Sequence, residues 1–284
     1  MRFVQLRAFH HVCLHGGFSS AADALHLTQP AISDQISRLE AEYDLLLFHR
    51  EGKQVTPTAA GEELLEITHR YFDVHQQAQD FLSERQRVSQ GRLRLVADST
   101  RHILDQLALF RSTYPNVSVE ISSGNSDAVL RRLRAYEADI GILGMEVSDT
   151  AFKSIALESS ALVAVVHHQH TLASRKSIRL NTILDQPLVL RETGSRTRAL
   201  IEAAAKERGK TLQIAIEAEG REAVQELLAA GTGLGIVSAA EIGHDQRLVA
   251  LPIRDWQIRM AQSLVCLKER QHGKLINAFF ELGG

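Results

Sequence analysis

The run Phe18-Ser19-Ser20-Ala21-Ala22-Asp23-Ala24-Leu25-His26-Leu27-Thr28-Gln29-Pro30-Ala31-Ile32-Ser33 constrains the chain most, because it reads as two short helices meeting at a tight turn. Ser19 is placed to cap the first helix, and small Ala21, Ala22 and Ala24 let a neighbour pack close. Leu25 and Leu27 are expected to fill the angle between the two helices. Thr28 is placed to cap the second, with Pro30 in its first turn, where a missing N–H costs nothing. Ile32, Ile36 and Leu39 fall at i, i+4 and i+7 and form an apolar face, which leaves Gln29, Ser33 and Ser37 outward. Such short hydrogen-bonding side chains suit base edges and phosphates in a major groove. An ordinary surface helix shares this periodicity, so the residues downstream of it must decide between the two.

Leu45 to Phe48 is apolar, Glu51-Gly52-Lys53 is a charged turn, and a second extended run ends at Pro57, which together make a β-hairpin wing. Five blocks succeed one another over about sixty residues: Gly16-Gly17-Phe18-Ser19-Ser20-Ala21-Ala22, Thr28-Gln29-Pro30-Ala31-Ile32-Ser33-Asp34-Gln35-Ile36, Leu39-Glu40, Leu47-Phe48-His49-Arg50 and Thr56-Pro57-Thr58-Ala59-Ala60-Gly61. Together they resemble the DNA-binding domain of LysR-type transcriptional regulators. The resemblance implies an α/β chain in three parts: a winged helix-turn-helix at 1–58, a linker and dimerisation helix at 59–90, and a two-lobed effector domain at 91–284 like a type 2 periplasmic binding protein. Lobe I would hold 91–160 and 262–284, and lobe II 161–261. The implied partners are a double-stranded DNA operator, a small anionic effector, RNA polymerase and further copies of the chain in a homodimer or homotetramer. The DNA-facing candidates are Ser19, Thr28, Gln29, Pro30, Ser33, Ser37, Arg38, Arg50 and Lys53. Asp34 departs from the pattern, since many relatives carry a basic residue there.

Charge sets a limit on this reading. The net charge is −2, and through Lys53 five basic residues (Arg2, Arg7, Arg38, Arg50, Lys53) face six acidic ones (Asp23, Asp34, Glu40, Glu42, Asp44, Glu51). Attraction to DNA must therefore come from where individual cations sit. There is no apolar run of membrane-spanning length and no charged-then-apolar leader, so a cytoplasmic location is expected. Cys13 and Cys266 read as small hydrophobes rather than a redox pair, and no cofactor is expected.

Beyond Gly61 runs a long stretch free of Gly and Pro as far as Gln90. Leu64, Ile67, Tyr71, Val74, Ala78 and Phe81 are spaced 3, 4, 3, 4 and 3 apart, the alternation of a coiled-coil seam. With no apolar partner expected on either side, the helix should pair with its copy rather than lie on its own domain. The operator would then be an interrupted inverted repeat.

From Gly91 short apolar strands alternate with amphipathic helices in two α/β units, with crossovers expected near Ser160 to Ala164 and Arg254 to Ala261. Ligands in such lobes sit at the carboxyl ends of strands, where helix N-termini point. Ser99 and Thr100, Gly124, Asn125 and Ser126, and Thr193, Gly194 and Ser195 supply hydroxyls or free N–H groups at three such turns, and Leu143 and Thr232 complete the effector candidates. Taken singly, these turns could be ordinary helix caps; their convergence favours an anion. Of Arg191, Arg196 and Arg198, one could clamp it bidentately while at least two are expected in solvent.

Gly231-Thr232-Gly233-Leu234-Gly235 lies between helix and strand, the reverse of a phosphate-binding order, and reads as a helix stop. His167, His168 and His170 alternate on a strand end, so no metal site is expected. No Gly-x-Ser-x-Gly elbow or other nucleophile and base set is visible, and no enzyme is expected. Within the family, Leu6-Arg7-Ala8-Phe9-His10, Leu47-Phe48-His49-Arg50, Leu64-Leu65-Glu66-Ile67-Thr68 and Leu190 to Arg198 resemble the branch associated with 2-aminoethylphosphonate catabolism; a carboxylate or sulfur-metabolite effector stays open. The competing class is a solute-binding or enzymatic α/β protein with an incidental helical N-terminus. That reading needs an export signal or a catalytic set.

Overall fold

The computed structural model describes residues 1–51, 54–82, 91–243 and 245–283, with the backbone alone for Arg50, Glu51, Gln54, Asp80 and Phe81. It divides into two units, Met1–Glu84 and Arg85–Gly284.

The first unit holds helices α1 (Phe3–His15), α2 (Phe18–Leu25) and α3 (Gln29–Tyr43), the hairpin β1 (Phe48–Glu51) and β2 (Gln54–Pro57), and helix α4 (Ala59–Leu82). Its core joins Phe9, Val12, Ala21, Ala22, Ile32, Ile36, Leu39, Leu47 and Phe48. The apolar face read from α3 is therefore the buried one. His26 takes the left-handed conformation between α2 and α3 (φ 54°), and Leu27 N–H closes the turn on Ala22 O at 2.9 Å.

Four local expectations fail here. Gly17, not Ser19, occupies the cap position of α2, and Ser19 lies exposed inside the first turn. Thr28 has cap geometry at α3 but its side chain makes no cap hydrogen bond. Leu27 is 46% exposed, so Leu25 alone fills the angle between the helices. Leu45 and Leu46 are exposed and precede the wing, whose first strand starts at Phe48.

Helix α4 also differs from expectation, because it does have an apolar neighbour. Leu64 and Leu65 join the core. Further along, Phe3 meets Phe72 at 5.7 Å between ring centroids, and His10 lies 4.8 Å from Phe72, with its Nδ1 3.0 Å from Thr68 Oγ1. Leu64 thus leaves the seam. Ile67, Tyr71, Val74 and Ala78 remain exposed, while the Phe81 side chain lies outside the described residues.

The second unit carries two sheets. Its elements are β3 (Gly91–Ala97), α5 (Leu104–Thr113), β4 (Val117–Ser123), α6 (Ser126–Arg134), β5 (Ile140–Leu143), β6 (Phe152–Ala156), β7 (Ser160–His167), α7 (Leu180–Leu184), β8 (Leu188–Arg191), α8 (Arg196–Glu207), β9 (Ile214–Ala218), α9 (Arg221–Ala229), β10 (Leu234–Ser238), β11 (Leu248–Pro252), β12 (Arg259–Met260), β13 (Ser263–Leu267) and α10 (Lys274–Glu281). Lobe I orders its strands β4-β3-β5-β13-β6; lobe II orders them β11-β7-β10-β8-β9, with β12 also on β7. In each, three strands run parallel: β4, β3 and β5 in one, β9, β8 and β10 in the other. Strand β7 instead runs antiparallel to β10, β11 and β12. Because β6 ends at Ala156 and Ser160 already pairs with Met260, the first crossover is at 157–159, ahead of the expected place. The second lies between β12 and β13.

Candidate functional site

On α3, Gln29, Pro30, Ser37 and Arg38 are exposed and Ser33 half-buried, opposite the core face. Arg38 Nε donates to Asp34 Oδ1 at 3.0 Å, and both side chains are exposed. The acid that departs from the family pattern thus holds the helix's one arginine. An exposed pair of this kind is worth under about 1 kcal/mol, so a phosphate can compete for Arg38. The wing is tied back to the helix: buried Glu40 accepts from Leu47 N–H at 2.8 Å and Phe48 N–H at 3.4 Å. Lys53 lies outside the described residues, and Arg50 is placed by its backbone in β1.

The Asp34 geometry yields a direct prediction. Asp34→Asn should raise affinity for operator and random DNA alike and steepen the log K against log salt slope by about 1, the release expected for one further phosphate contact. Fluorescence anisotropy from low to moderate salt would read it. An unchanged slope would place Arg38 away from the backbone.

In the second unit the carboxyl ends of the parallel strands meet across the lobes. Asp98 follows β3, Arg191 ends β8, and Arg221 opens α9. Arg191 Nη1 donates to Asp98 Oδ1 at 2.8 Å, and Arg221 Nη2 lies 3.0 Å from the same oxygen. Arg191 also clamps Glu192 with Nε at 3.0 Å and Nη2 at 2.7 Å, while Arg221 reaches Glu241 and the Asp98 carbonyl. Side-chain exposure is 11% for Arg191, 9% for Arg221 and 4% for Asp98, so these charges are desolvated and mutually dependent.

Beside this cluster opens a groove of about 810 Å³ between the N-terminal ends of α6 and α9. Gly124, Asn125, Arg131, Thr193, Gly194 and Glu219 are among its lining residues. Asn125 caps α6 through Ala128 N–H (3.0 Å) and bridges the lobes, its Nδ2 donating to Glu192 Oε1 (3.1 Å) and Thr193 O (3.2 Å). Gly194 makes this approach possible: it has φ 91°, and a Cβ there would stand 3.0 Å from Asn125 Nδ2.

Burial opposes the charge of Glu192, but the Arg191 hydrogen bonds and charge, with Gly220 N–H, outweigh it and hold the carboxyl down at about 2. A depressed carboxylate stabilises the fold fully above its unfolded value, about 4.3, and this contribution is lost as pH falls toward the folded one. Urea midpoints should thus fall between pH 5 and about pH 2, and Glu192→Gln should flatten that fall. Burial, aided by repulsion from Asp98, pushes Glu241 upward against the pull of Arg221.

The expected effector residues separate into groups. Ser126 and Ser195 are each 1% exposed and neither hydroxyl finds a partner among the described residues, so Ser195 sits at the start of α8 without capping it. Ser99 Oγ accepts weakly from Arg101 N–H at 3.4 Å, and Thr100 makes no side-chain cap bond. Leu143 is a core residue, its side chain closed inside the cluster of Val96, Val129 and Val265. Thr232 is misplaced: β8 and β10 run parallel with Leu234 beside Leu188, so Thr232 lies at the sheet end opposite Arg191, where its hydroxyl donates to Leu227 O. The arginine expectation also changes. Arg198 is 12% exposed and paired with Glu202 and Glu217, so only Arg196 of the three is in solvent.

Asp98, Arg221 and Glu241 were missed by sequence reading. Arg221 carried a signal, since a cation in the first turn of a helix faces the positive end of its dipole and needs an acid elsewhere to justify it. The thiols are not activated: burial pushes Cys13 up to about 12 and Cys266 up to about 11. No helix among the described residues is long and apolar enough to cross a membrane.

Both units carry family signatures. The signature described as "Bacterial regulatory helix-turn-helix protein, lysR family" matches residues 3–62, and that described as "LysR substrate binding domain" matches 86–283. The chain belongs to the LysR family of transcriptional regulators. This LysR regulator is 30% identical to the "RuBisCO operon transcriptional regulator" of Allochromatium vinosum over 98% of its own length and 93% of the relative's. A full-length OxyR from Pseudomonas aeruginosa superposes with a TM-score of 0.81 at 16% identity, covering 100% of this chain and 94% of that one, which is a likeness of fold. The regulatory domain of Synechocystis CcmR, solved in complex with 2-PG, gives a TM-score of 0.62 at 23% identity over 68% of this chain and 96% of that one. The relative is named for a RuBisCO operon, so the phosphonate branch finds no support there, and the LysR regulator is a DNA-binding protein rather than an enzyme.

Proposed function

We propose that this LysR regulator reads an interrupted inverted repeat as a dimer joined through α4, contacts RNA polymerase from there, and responds to a small carboxylate or phosphate anion held between its two lobes. The observation that carries the effector class is the convergence of Arg191 and Arg221 on one oxygen at the strand ends, beside a groove lined by Asn125, Thr193 and Gly194. On the DNA side, Gln29, Ser33 and Ser37 supply base and phosphate donors, with Arg38, Arg50 and Lys53 on the backbone. The name of the Allochromatium relative favours an operon of carbon assimilation over one of phosphonate catabolism.

A footprint on DNA upstream of its own gene tests the reading, with thermal shift against carboxylates, phosphates, phosphonates and sulfur metabolites run beside it. Ser33→Ala should cost about 1–3 kcal/mol on the operator and little on random DNA. A true effector at a hundredfold excess over Kd should stabilise the protein by about 2.7 kcal/mol. Stabilisation by cations or neutral apolar compounds alone would sink the anion.

A further inference from the structure

Both arginines that make the cleft attractive to an anion are already engaged, and the anion they share comes from the other lobe. Asp98 stands on lobe I at the end of β3; Arg191, Arg221 and Glu241 stand on lobe II. Asp98 Oδ1 receives both guanidiniums, at 2.8 and 3.0 Å, and Arg221 fastens on the Asp98 carbonyl as well. Counting Glu192, three carboxylates face two guanidiniums, so the closed cluster has one negative charge in excess. No further anion can enter it as it stands. Without the Asp98 carboxylate the remaining four charges balance: Arg191 Nη1 loses its acceptor, and Arg221 Nη2 keeps the Asp98 carbonyl but loses its carboxylate oxygen.

We propose that Asp98 is a built-in competitor at the effector position: a small carboxylate or phosphate anion binds by taking Arg191 and Arg221 away from Asp98, and so parts the two lobes where they are latched. This rests on the anionic effector of the proposed function and adds how that site is regulated. The arrangement is a true exclusion, because a displaced Asp98 cannot stay buried and charged without partners; it must turn to water, and that requires the strand end to move out of the cleft. Two buried polar side chains of this unit have no hydrogen-bond partner among the described residues. Gln262, at the crossover between β12 and β13, is 1% exposed with neither amide atom hydrogen-bonded among the described residues, and the Ser195 hydroxyl is in the same condition.

Asp98→Asn is the decisive variant, since the amide keeps the shape and an acceptor oxygen but gives up the charge. Titration calorimetry on the full-length protein with inorganic phosphate and with 2-PG should show Kd at least tenfold lower in the variant. Its operator footprint without any ligand should match that of the wild type with ligand. If the wild type binds a probe and the variant binds it no more tightly, the latch is wrong and the anionic effector stands. If neither protein binds any probe, both fall. Should Asp98→Asn not fold, a crystal structure of the wild type in phosphate decides: an anion between Arg191 and Arg221 with Asp98 turned away supports the latch, and Asp98 still holding both arginines overturns it.

Discussion

Val74→Asp is expected to yield a monomer that no longer holds its operator. Helix α4 presents two apolar stripes, of which Leu64, Leu65 and Phe72 are spent against the core and α1, while Ile67, Tyr71, Val74 and Ala78 face outward at spacings of 4, 3 and 4. Val74 is 64% exposed and Ile67 53%, a continuous apolar strip that a lone helix has no reason to keep. In a two-fold interface the substitution places an unpaired carboxylate in the seam twice, and each such burial costs several kcal/mol. Losing the dimer also removes the second half-site contact, which for linked sites is worth about 10²–10⁴ in affinity. Sedimentation and a gel shift should change together. An intact dimer would move the interface off this stripe.

Gly61→Ala should be the most damaging conservative change in the DNA-binding unit. A Cβ at Gly61 would lie 2.2 Å from the Leu47 carbonyl oxygen and 3.0 Å from Pro57 Cβ, and the first of these is backbone that cannot swing aside. The closeness is built in, because Thr58 N–H donates to that same carbonyl (3.0 Å) while the Thr58 hydroxyl donates to Leu46 O (2.8 Å) and accepts from Gly61 N–H (3.1 Å). One added methyl must therefore displace the start of α4 or the entry to the wing, with a cost of about 1–3 kcal/mol or more from overpacking alone. Chemical denaturation of residues 1–82 in the full chain, followed by a probe on α3, should show a lower midpoint. Wild-type stability would mean that the close approach of α4 is not fixed.

Periodicity carried the sequence reading a long way, and its failures have physical causes. The face of α3 formed by Ile32, Ile36 and Leu39 is buried as its spacing requires, and the alternation after Gly91 does produce two α/β lobes, each with three parallel strands in a mixed sheet. Spacing alone could not tell which apolar stripe of α4 meets α1, because Leu64 and Ile67 look alike until Phe3 and His10 are placed beside the helix. The cleft was harder still. Asp98 meets Arg191 across 93 residues and Arg221 across 123, pairings that no local pattern encodes. Thr232 was drawn in by its composition, although the strand direction that excludes it was already implied by its position before β10.

The carboxylate of Glu40 has a mechanical consequence for how a half-site is read. By hanging Leu47 and Phe48 from the last turns of α3, it makes the recognition helix and the root of the wing a single rigid fork rather than two fingers. In the proposed docking, with α3 over bases and the wing over the backbone, a fork of fixed span cannot stretch to suit its target, so any mismatch in spacing between the two has to be absorbed by the duplex. Operators with flexible pyrimidine–purine steps at that interval will accept the fork at lower elastic cost than stiff ones, and part of the selectivity will reside in base pairs that no side chain touches.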